Sequence, residues 1–465
     1  MRRSAIAVLL FSAAIQIGLS AIPDTMGDLL QYRSWTRTLT LEGLSAAYWP
    51  TLPSADSPHL NLPIDYPPIL PYALWVLGHA LHAFSPAALG NDWLLDFLIR
   101  LPLVGSNLIL ALLIYVEVRG FAPAAANLAL ALVALNPALI FDTAYWGQAD
   151  APCALLVTAS LVALVRGRPE WAVAAFAAAA LVKPIAYPLA PLVAFETVRR
   201  FGMARALRSG MWGLLVGCVS LTPFSPSGRV LDALRSFVTQ VDAMPYVTVN
   251  AHNLWWLVGL GAPWTPAHAR PLGLLPWSAL SLLLFAAFYV AVLVPLSRSR
   301  EPRSLYGAAA TVFFGFFVLS THMHENHLFL ALPLLALFGV ESKPTRMVLG
   351  VLSAAMLANM VLHDPFLTSW ARPYTPGPHI LLPSTPDPQV ELRERLGRLG
   401  YPWIVSQMRG ENTVVGVAAT FANALAIVFS FGGWLVFLLR AGAFDPILRA
   451  PRWSIPPAGR PSGPP

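Results

Sequence analysis

The sequence predicts an all-α, polytopic membrane protein, and three observations carry that prediction. Of the 465 residues, 56% are hydrophobic and only 11% are charged, whereas a soluble domain carries about 25% charged residues. The apolar residues fall into runs long enough for helices in a bilayer, where helices and closed barrels alone satisfy their backbone groups. The basic residues stand in short clusters between those runs, as topology-setting charges do. The net charge of +7 therefore does not point to nucleic acid, and no such partner is expected. Cys153 and Cys218 both lie inside apolar runs and read as small core residues, with no disulfide framework or thiolate metal site. The richness in Ala, Pro and Arg is a compositional hint of a bacterium, and hence of a bacterial cell membrane.

The first apolar run, Ser4–Ala21, follows Met1-Arg2-Arg3. No small-residue cleavage site precedes Pro23-Asp24-Thr25-Met26, so the run reads as a first span, and an uncleaved signal anchor reads the same. Arg2 and Arg3 hold its start in the cytoplasm and put the next loop outside. From Pro23 to Pro68 that loop carries Asp24, Asp28, Arg33, Trp35, Arg37, Glu42 and Asp65, and it closes on Asp65-Tyr66-Pro67-Pro68. In so apolar a chain it is an exception, and long loops dense in chemistry are more often functional than linking. Asp28 to Leu44 predicts a polar helix with Asp28, Gln31 and Trp35 on one stripe. Ile69–Phe84 is short and holds Pro71, Gly78, His79 and His82, which predicts an interfacial or re-entrant helix.

Parity supports that assignment. Phe97–Val118 ends at Arg119, Ala122–Phe141 ends at Asp142, and Ala151–Val165 ends at Arg166 and Arg168. If Ile69–Phe84 does not cross, Arg119, Arg166 and Arg168 all lie inside. Trp171–Val198 is interrupted by Lys183-Pro184 and has basic flanks on both sides, which predicts two short helices turning near Lys183. Further spans are expected at Ser209–Pro223, Leu272–Leu296, Leu305–Ser320, Leu328–Val340, Met347–Leu362 and Val415–Leu439. The count is about twelve spans with both termini cytoplasmic. It divides the chain into residues 1–225, a transmembrane module with an extracytoplasmic loop over 23–96; residues 226–440, a second transmembrane region with external loops over 224–267 and 363–412; and a basic, proline-rich, disordered cytoplasmic tail over 441–465.

This topology, set by Lys and Arg alone, collects five polar clusters on the outer face. They are Asp24/Asp28, Asp65, Gln148/Asp150 with Trp146, Asn250/His252/Asn253, and His322/His324/Glu325, and Lys183 joins them if its turn is external. Polar residues near membrane depth are costly and usually functional. Gly27-Asp28-Leu29-Leu30-Gln31-Tyr32-Arg33-Ser34-Trp35 resembles the Gly-Asp-…-Gln-Arg-…-Trp stretch of the lipid-linked-glucose-dependent α-1,3-glucosyltransferases of asparagine-linked glycosylation, which use dolichyl-phosphate glucose. Asp65-Tyr66-Pro67-Pro68-Ile69 resembles their Asp-Tyr-Pro-Pro-Leu, His324-Glu325 their His-Glu-Lys, and Asn253-Leu254-Trp255 their Asn-Phe/Val-Trp element. Trp146-Gly147-Gln148-Ala149-Asp150 and Lys183-Pro184 look more like bacterial relatives of the glycolipid-anchor mannosyltransferases. Both groups belong to the GT-C superfamily of membrane glycosyltransferases. Two departures stand out: Asn326 where a lysine follows His-Glu, and Ile185 where the bacterial relatives often have Gln. Sugar and acceptor identity therefore do not carry over.

The resemblance implies a GT-C fold and transfer of a hexose from a polyprenyl-phosphate monosaccharide, on the extracytoplasmic side and with inversion. The partners are then the lipid-linked sugar donor, a lipid-linked or other glycan acceptor, and membrane lipid, with no cofactor. Asp28 is the candidate general base: displacing a lipid phosphate requires a deprotonated acceptor hydroxyl, and a first-loop Asp is the family's catalytic position. The bland alternative is a helix N-cap or an ion pair with Arg33. Asp65 orients the acceptor or caps the helix near Ile69. His324 and Glu325 contact the donor phosphate and a sugar hydroxyl, or form an interfacial cluster that caps the next helix. Gln148 and Asp150 line a sugar pocket, or Asp150 caps its helix. Lys183 neutralises the donor phosphate or snorkels to the interface. Asn250 and His252 join the substrate-binding set. Trp255 and Trp256 read as an interface belt before a sugar-stacking platform. His322, His324 and His327 lack a clean i, i+4 pair and a thiolate, so no metal is expected. The rival reading is a transporter or flippase of lipid-linked sugar, which would use the same groove without a base and show paired broken helices. A third is a non-catalytic assembly subunit, in which Asp28 is dispensable.

Overall fold

The computed structural model describes residues 3–23, 28–48, 64–225, 231, 234, 246–259, 265–299, 301–364, 367, 375–376, 411–412 and 414–440. Asp24, most of the loop expected over 363–412 and the tail expected over 441–465 lie outside the described residues. What is described is all-α, apart from one antiparallel pairing of Thr375–Pro376 with Glu411–Asn412 and a few isolated bridges.

The first helix, α1 (Arg3–Ser20), carries Ser12, Gln16 and Ser20 at i, i+4 spacing, so they form one polar stripe, and all three are buried. Ser12 Oγ donates to the Ala134 carbonyl, Gln16 Nε2 donates to Ser12 Oγ at 2.9 Å, and Asn107 Nδ2 donates to Gln16 Oε1 at 3.1 Å. Inside a bilayer such a ladder fastens helices, because its polar groups have no water to turn to. The polar helix expected in the first loop is α2 (Asp28–Glu42), and α3 (Ile69–Phe84) has the bounds the sequence predicted. These two helices approach closely at Gly78, where a Cβ would stand 1.9 Å from Thr40 Oγ1. Both lean on α4 (Asp92–Phe121), a helix of 30 residues.

Arg100 of α4 fixes the geometry of the whole region. It is 1% exposed and donates to the carbonyls of Ser20 at 2.9 Å, Ile22 at 2.8 Å and Tyr145 at 2.6 Å. It thus holds the end of α1, where the first loop begins, beside the segment that carries Trp146. A cation at the carbonyl end of a helix also matches the helix dipole.

The run expected as a span over Ala122–Phe141 is bent. α5 (Ala126–Ala134) is followed by α6 (Pro137–Ile140) and a π-helical turn over Phe141–Trp146, bent by 42°. Pro137 cannot continue the hydrogen-bond ladder, and Asn136 restarts it by accepting from Ala138 N at 3.0 Å and Leu139 N at 3.3 Å. Gly147 then turns the chain at φ +83, and a Cβ there would also stand 2.9 Å from Leu29 of α2.

Next come α7 (Asp150–Val165) and α8 (Pro169–Val182), joined by a short turn and tied by Ser160 Oγ to the Ala172 carbonyl at 2.7 Å. The break expected at Lys183-Pro184 is present: Lys183 is extended, as the residue before a proline tends to be, and a 3-10 turn over Pro184–Leu189 leads into α9 (Ala190–Phe201). α10 (Met203–Leu221) packs back on α8. The second half comprises α11 (Leu254–Val258), α12 (Trp277–Arg298), α13 (Pro302–Leu319), α14 (Ala331–Gly339), α15 (Lys343–His363) and α16 (Val414–Arg440).

Among the described residues six helices, α1, α4, α12, α13, α15 and α16, are long and apolar enough to cross a membrane, or seven if the bent α5–α6 pair forms one span. The chain is a multi-pass integral membrane protein. The sequence expectation of about twelve spans also counted shorter segments: α7 and α8 are apolar but fall below span length, and α14, at 9 residues, is buried throughout. Cys153 is buried in the core as expected, whereas Cys218 is on the outside of the bundle.

Candidate active site

Five segments far apart in sequence meet at one place. Asp28 is the first residue of α2, and the indole Nε1 of Trp146 donates to its Oδ2. The Asp65-Tyr66 turn comes next, with the Tyr66 hydroxyl donating to Gln148 Oε1 at 3.1 Å. Lys183 Nζ donates to the same Gln148 oxygen at 3.1 Å and to Asp150 Oδ2 at 2.6 Å. From the second half of the chain, Asn326 Nδ2 donates to Asp150 Oδ2 at 2.8 Å and to Asp142 Oδ1 at 3.1 Å. Glu325 lies within electrostatic reach of Asp28 and Lys183, and its carboxylate stands 4.0 Å from His324 Nδ1.

The contacts bear on several of the alternative readings of these residues. Arg33 pairs with Asp96 at 3.1 Å and Asp92 at 3.6 Å, both on α4. Asp65 does not cap α3, whose first turn begins after Pro68 with no side-chain cap. Asp150 makes no side-chain cap on α7 and is held by Lys183 and Asn326. Lys183 does not snorkel: it is 7% exposed, paired with a carboxylate, and 5.8 Å from the Tyr66 ring centre.

The walls are aromatic and close. Tyr32, Trp35 and Tyr66 form a triangle with ring centres 5.3 to 5.8 Å apart. Tyr48 locks the turn by donating its hydroxyl to the Tyr66 carbonyl at 2.8 Å. This enclosure governs the charge of the loop groups. Burial pushes the Asp65 carboxyl up to about 6 and that of Glu325 up to about 8, and it pulls His324 down to about 3. At neutral pH Glu325 therefore carries a proton it can donate, and His324 is a neutral imidazole.

The segment from Val249 to Asn253 contributes scaffolding. Val249 N donates to the Met323 carbonyl at 2.8 Å, and Asn250, at φ +60, bridges to His324 through its backbone. The Asn250 carbonyl accepts from Asn359 Nδ2 at 2.7 Å. His252 is not brought to the acidic cluster. Its ring is fully buried in a separate knot, 3.0 Å from His363 Nε2 and 2.9 Å from Asn423 Nδ2. Asn253 caps α11 and also donates to the carbonyls of Phe317 and Ser320. Trp255 and Trp256 form neither an interface belt nor a sugar platform. They are 2% and 1% exposed, and their indole N–H groups are held by the Leu319 carbonyl and Thr420 Oγ1.

His327 steadies the His324-Glu325 segment, its Nδ1 accepting from His324 N at 3.3 Å. Among the described residues no group of three or more His, Cys, Asp or Glu side chains is placed to hold a metal ion. Two buried members of the site, Asp142 and Asn326, were not singled out as site residues from the sequence. Asp142 was visible only as the end of an apolar run, and Asn326 only as a departure from a family pattern. The usable signal was a carboxylate and an amide inside otherwise apolar surroundings.

No family model matches the chain, and no curated protein matches it. Among solved structures, the chain is similar to ArnT from Cupriavidus metallidurans bound to undecaprenyl phosphate, at 18% identity, and to the same protein in the apo state, at 16%. Each comparison covers 94% of this chain and 77% of that one, with a TM-score of 0.47. Similarity at that level assigns neither a family nor an activity.

Proposed function

We propose that this protein is an inverting GT-C-type membrane glycosyltransferase that moves a hexose from a polyprenyl-phosphate monosaccharide to an acceptor on the extracytoplasmic side. The observation that carries the proposal is the convergence of Asp28, held by Trp146, with the Gln148–Lys183–Asp150–Asn326 network. A base, a buried cation and hydrogen-bonding groups suited to a polyol stand together, as a displacement on a sugar carbon requires.

In this mechanism the acceptor hydroxyl oxygen attacks the anomeric carbon while Asp28 takes the hydroxyl proton. The bond between that carbon and the phosphate oxygen breaks, and its electron pair leaves on the lipid phosphate. Attack opposite the leaving group inverts the anomeric centre. The Trp146 N–H fixes the Asp28 carboxylate in one orientation. Lys183 supplies positive charge near the leaving phosphate, and His324 donates an N–H to it as a neutral imidazole. Glu325 holds a sugar hydroxyl, Gln148 and Asp150 line the sugar pocket, and Asp65 orients the acceptor. The Lys and Arg pattern supports cytoplasmic termini and about twelve crossings, some of them short helices buried among neighbours.

The test is direct. Purified protein in detergent is given a panel of polyprenyl-phosphate hexoses with a membrane lipid extract, and sugar transfer and the anomeric configuration of the product are followed. Transfer with inversion is expected. A protein that binds lipid-linked sugar without transferring it to any acceptor would instead be a transporter.

A further inference from the structure

The carboxylates at the centre of the site are incompletely satisfied. Asp142 and Asp150 are both fully buried. One side-chain nitrogen, Asn326 Nδ2, holds an oxygen of each, Asp142 Oδ1 at 3.1 Å and Asp150 Oδ2 at 2.8 Å. Both N–H bonds of that amide are thereby used. Lys183 adds its bond to the Asp150 oxygen that Asn326 already holds. The opposite oxygens, Asp142 Oδ2 and Asp150 Oδ1, are buried and find no donor among the described residues. A buried acceptor left without a donor is unfavourable, and a ligand that supplies the donor recovers that free energy.

The chemistry of the orphan oxygens selects which part of a donor lipid meets them. The phosphodiester of a lipid-linked sugar brings lone pairs and no O–H donor, so it cannot satisfy two acceptor oxygens. A polyprenyl chain brings no hydrogen-bonding group. Sugar hydroxyls bring O–H donors. Resting on the glycosyl-transfer reading above, we propose that Asp142 and Asp150 together receive ring hydroxyls of the transferred sugar, with Asn326 as the positioning residue that sets the two carboxylates side by side. Asp142 comes from the π-turn of the broken helix pair, Asp150 from the start of α7, and Asn326 from the loop after α13. The sugar subsite is therefore assembled across the two halves of the chain and depends on their packing.

The test uses undecaprenyl-phosphate glucose and mannose and their monodeoxy counterparts, assayed by transfer with the full-length protein. In the wild type, removal of one ring hydroxyl should lower kcat/KM by about 100-fold or more, because a site built to bind a hydroxyl rejects the analogue lacking it. In Asp142→Leu the same deletion should cost within about threefold, since the orphan oxygen is gone. Asn326→Leu should shrink the penalty likewise, which a purely structural role would not do. Intact hexose transfer with no deoxy penalty in the wild type, a result needing no variant, overturns this inference alone. An undiminished penalty in Asp142→Leu overturns it as well. Absence of transfer from any intact hexosyl donor overturns the transfer reading and this inference with it.

Discussion

Trp146 donates its indole N–H to the carboxylate of Asp28 across 118 residues of sequence. The contact exists because Arg100 ties the end of α1 to the Tyr145 carbonyl, and because Gly147 lets the chain turn against Leu29. Trp146→Phe keeps the ring and removes the N–H. We expect kcat to fall by about 10- to 100-fold with donor KM within about twofold, read by steady-state transfer kinetics. An equal rise in KM would place Trp146 in ground-state binding.

The Lys183–Asp150 pair is 8% and 0% exposed at its side chains. Removing one partner of such a pair leaves a buried charge alone, so Lys183→Met should destabilise by about 3–5 kcal/mol. The double variant Lys183→Met with Asp150→Leu should recover most of that loss while remaining inactive. Unfolding in detergent, followed by tryptophan fluorescence, separates the two outcomes.

Glu325 makes stability depend on pH with a definite sign. Its folded value, raised to about 8 by burial, exceeds its ordinary value of 4.5. The folded protein therefore binds the extra proton between those values, and the contribution is full below 4.5 and lost as pH rises toward 8. Wild type should lose melting temperature between these limits more steeply than Glu325→Gln, which stays neutral throughout. His324 acts in the opposite sense. Burial lowers it to about 3, so its contribution is present above 6.5 and declines as pH falls toward 3. Parallel profiles for wild type and Glu325→Gln would contradict the assignment.

Much of the local structure around this cluster was legible in the sequence. The polar helix after Asp28, the helix over Ile69–Phe84 and the break at Lys183-Pro184 follow from local chemistry, namely helical spacing and proline geometry. The bend before Trp146 was not foreseen, because Ala122–Phe141 reads as one largely apolar run and the signal rests in Asn136-Pro137. The twelve-span count carries the same weakness: charge patterning sets the side a loop faces and not how long a buried helix must be. His252 shows the limit for single residues. Its place in a polar loop between apolar runs was readable, but its partners His363, Asn359 and Asn423 come from α15 and α16, and no local pattern encodes such contacts.

That knot yields its own expectation. The His252 amide donates to Asn359 Oδ1 at 2.8 Å, and Asn423 bridges His252 Nδ1 to the Ala355 carbonyl. His252→Leu should cost about 1–3 kcal/mol of stability by leaving buried partners unpaired. Donor KM should stay within about twofold. A large KM change with unchanged stability would move His252 into the binding site.

The central claim is that Asp28 takes the acceptor proton. The measurement that tests it most directly is single-turnover transfer from the donor accepted by wild type, comparing Asp28→Asn with wild type at matched donor occupancy, with and without a chelator. The account predicts a loss of about 100-fold or more in the chemical step, with donor binding retained and no effect of chelator. Transfer that persists in Asp28→Asn at near the wild-type rate would contradict it.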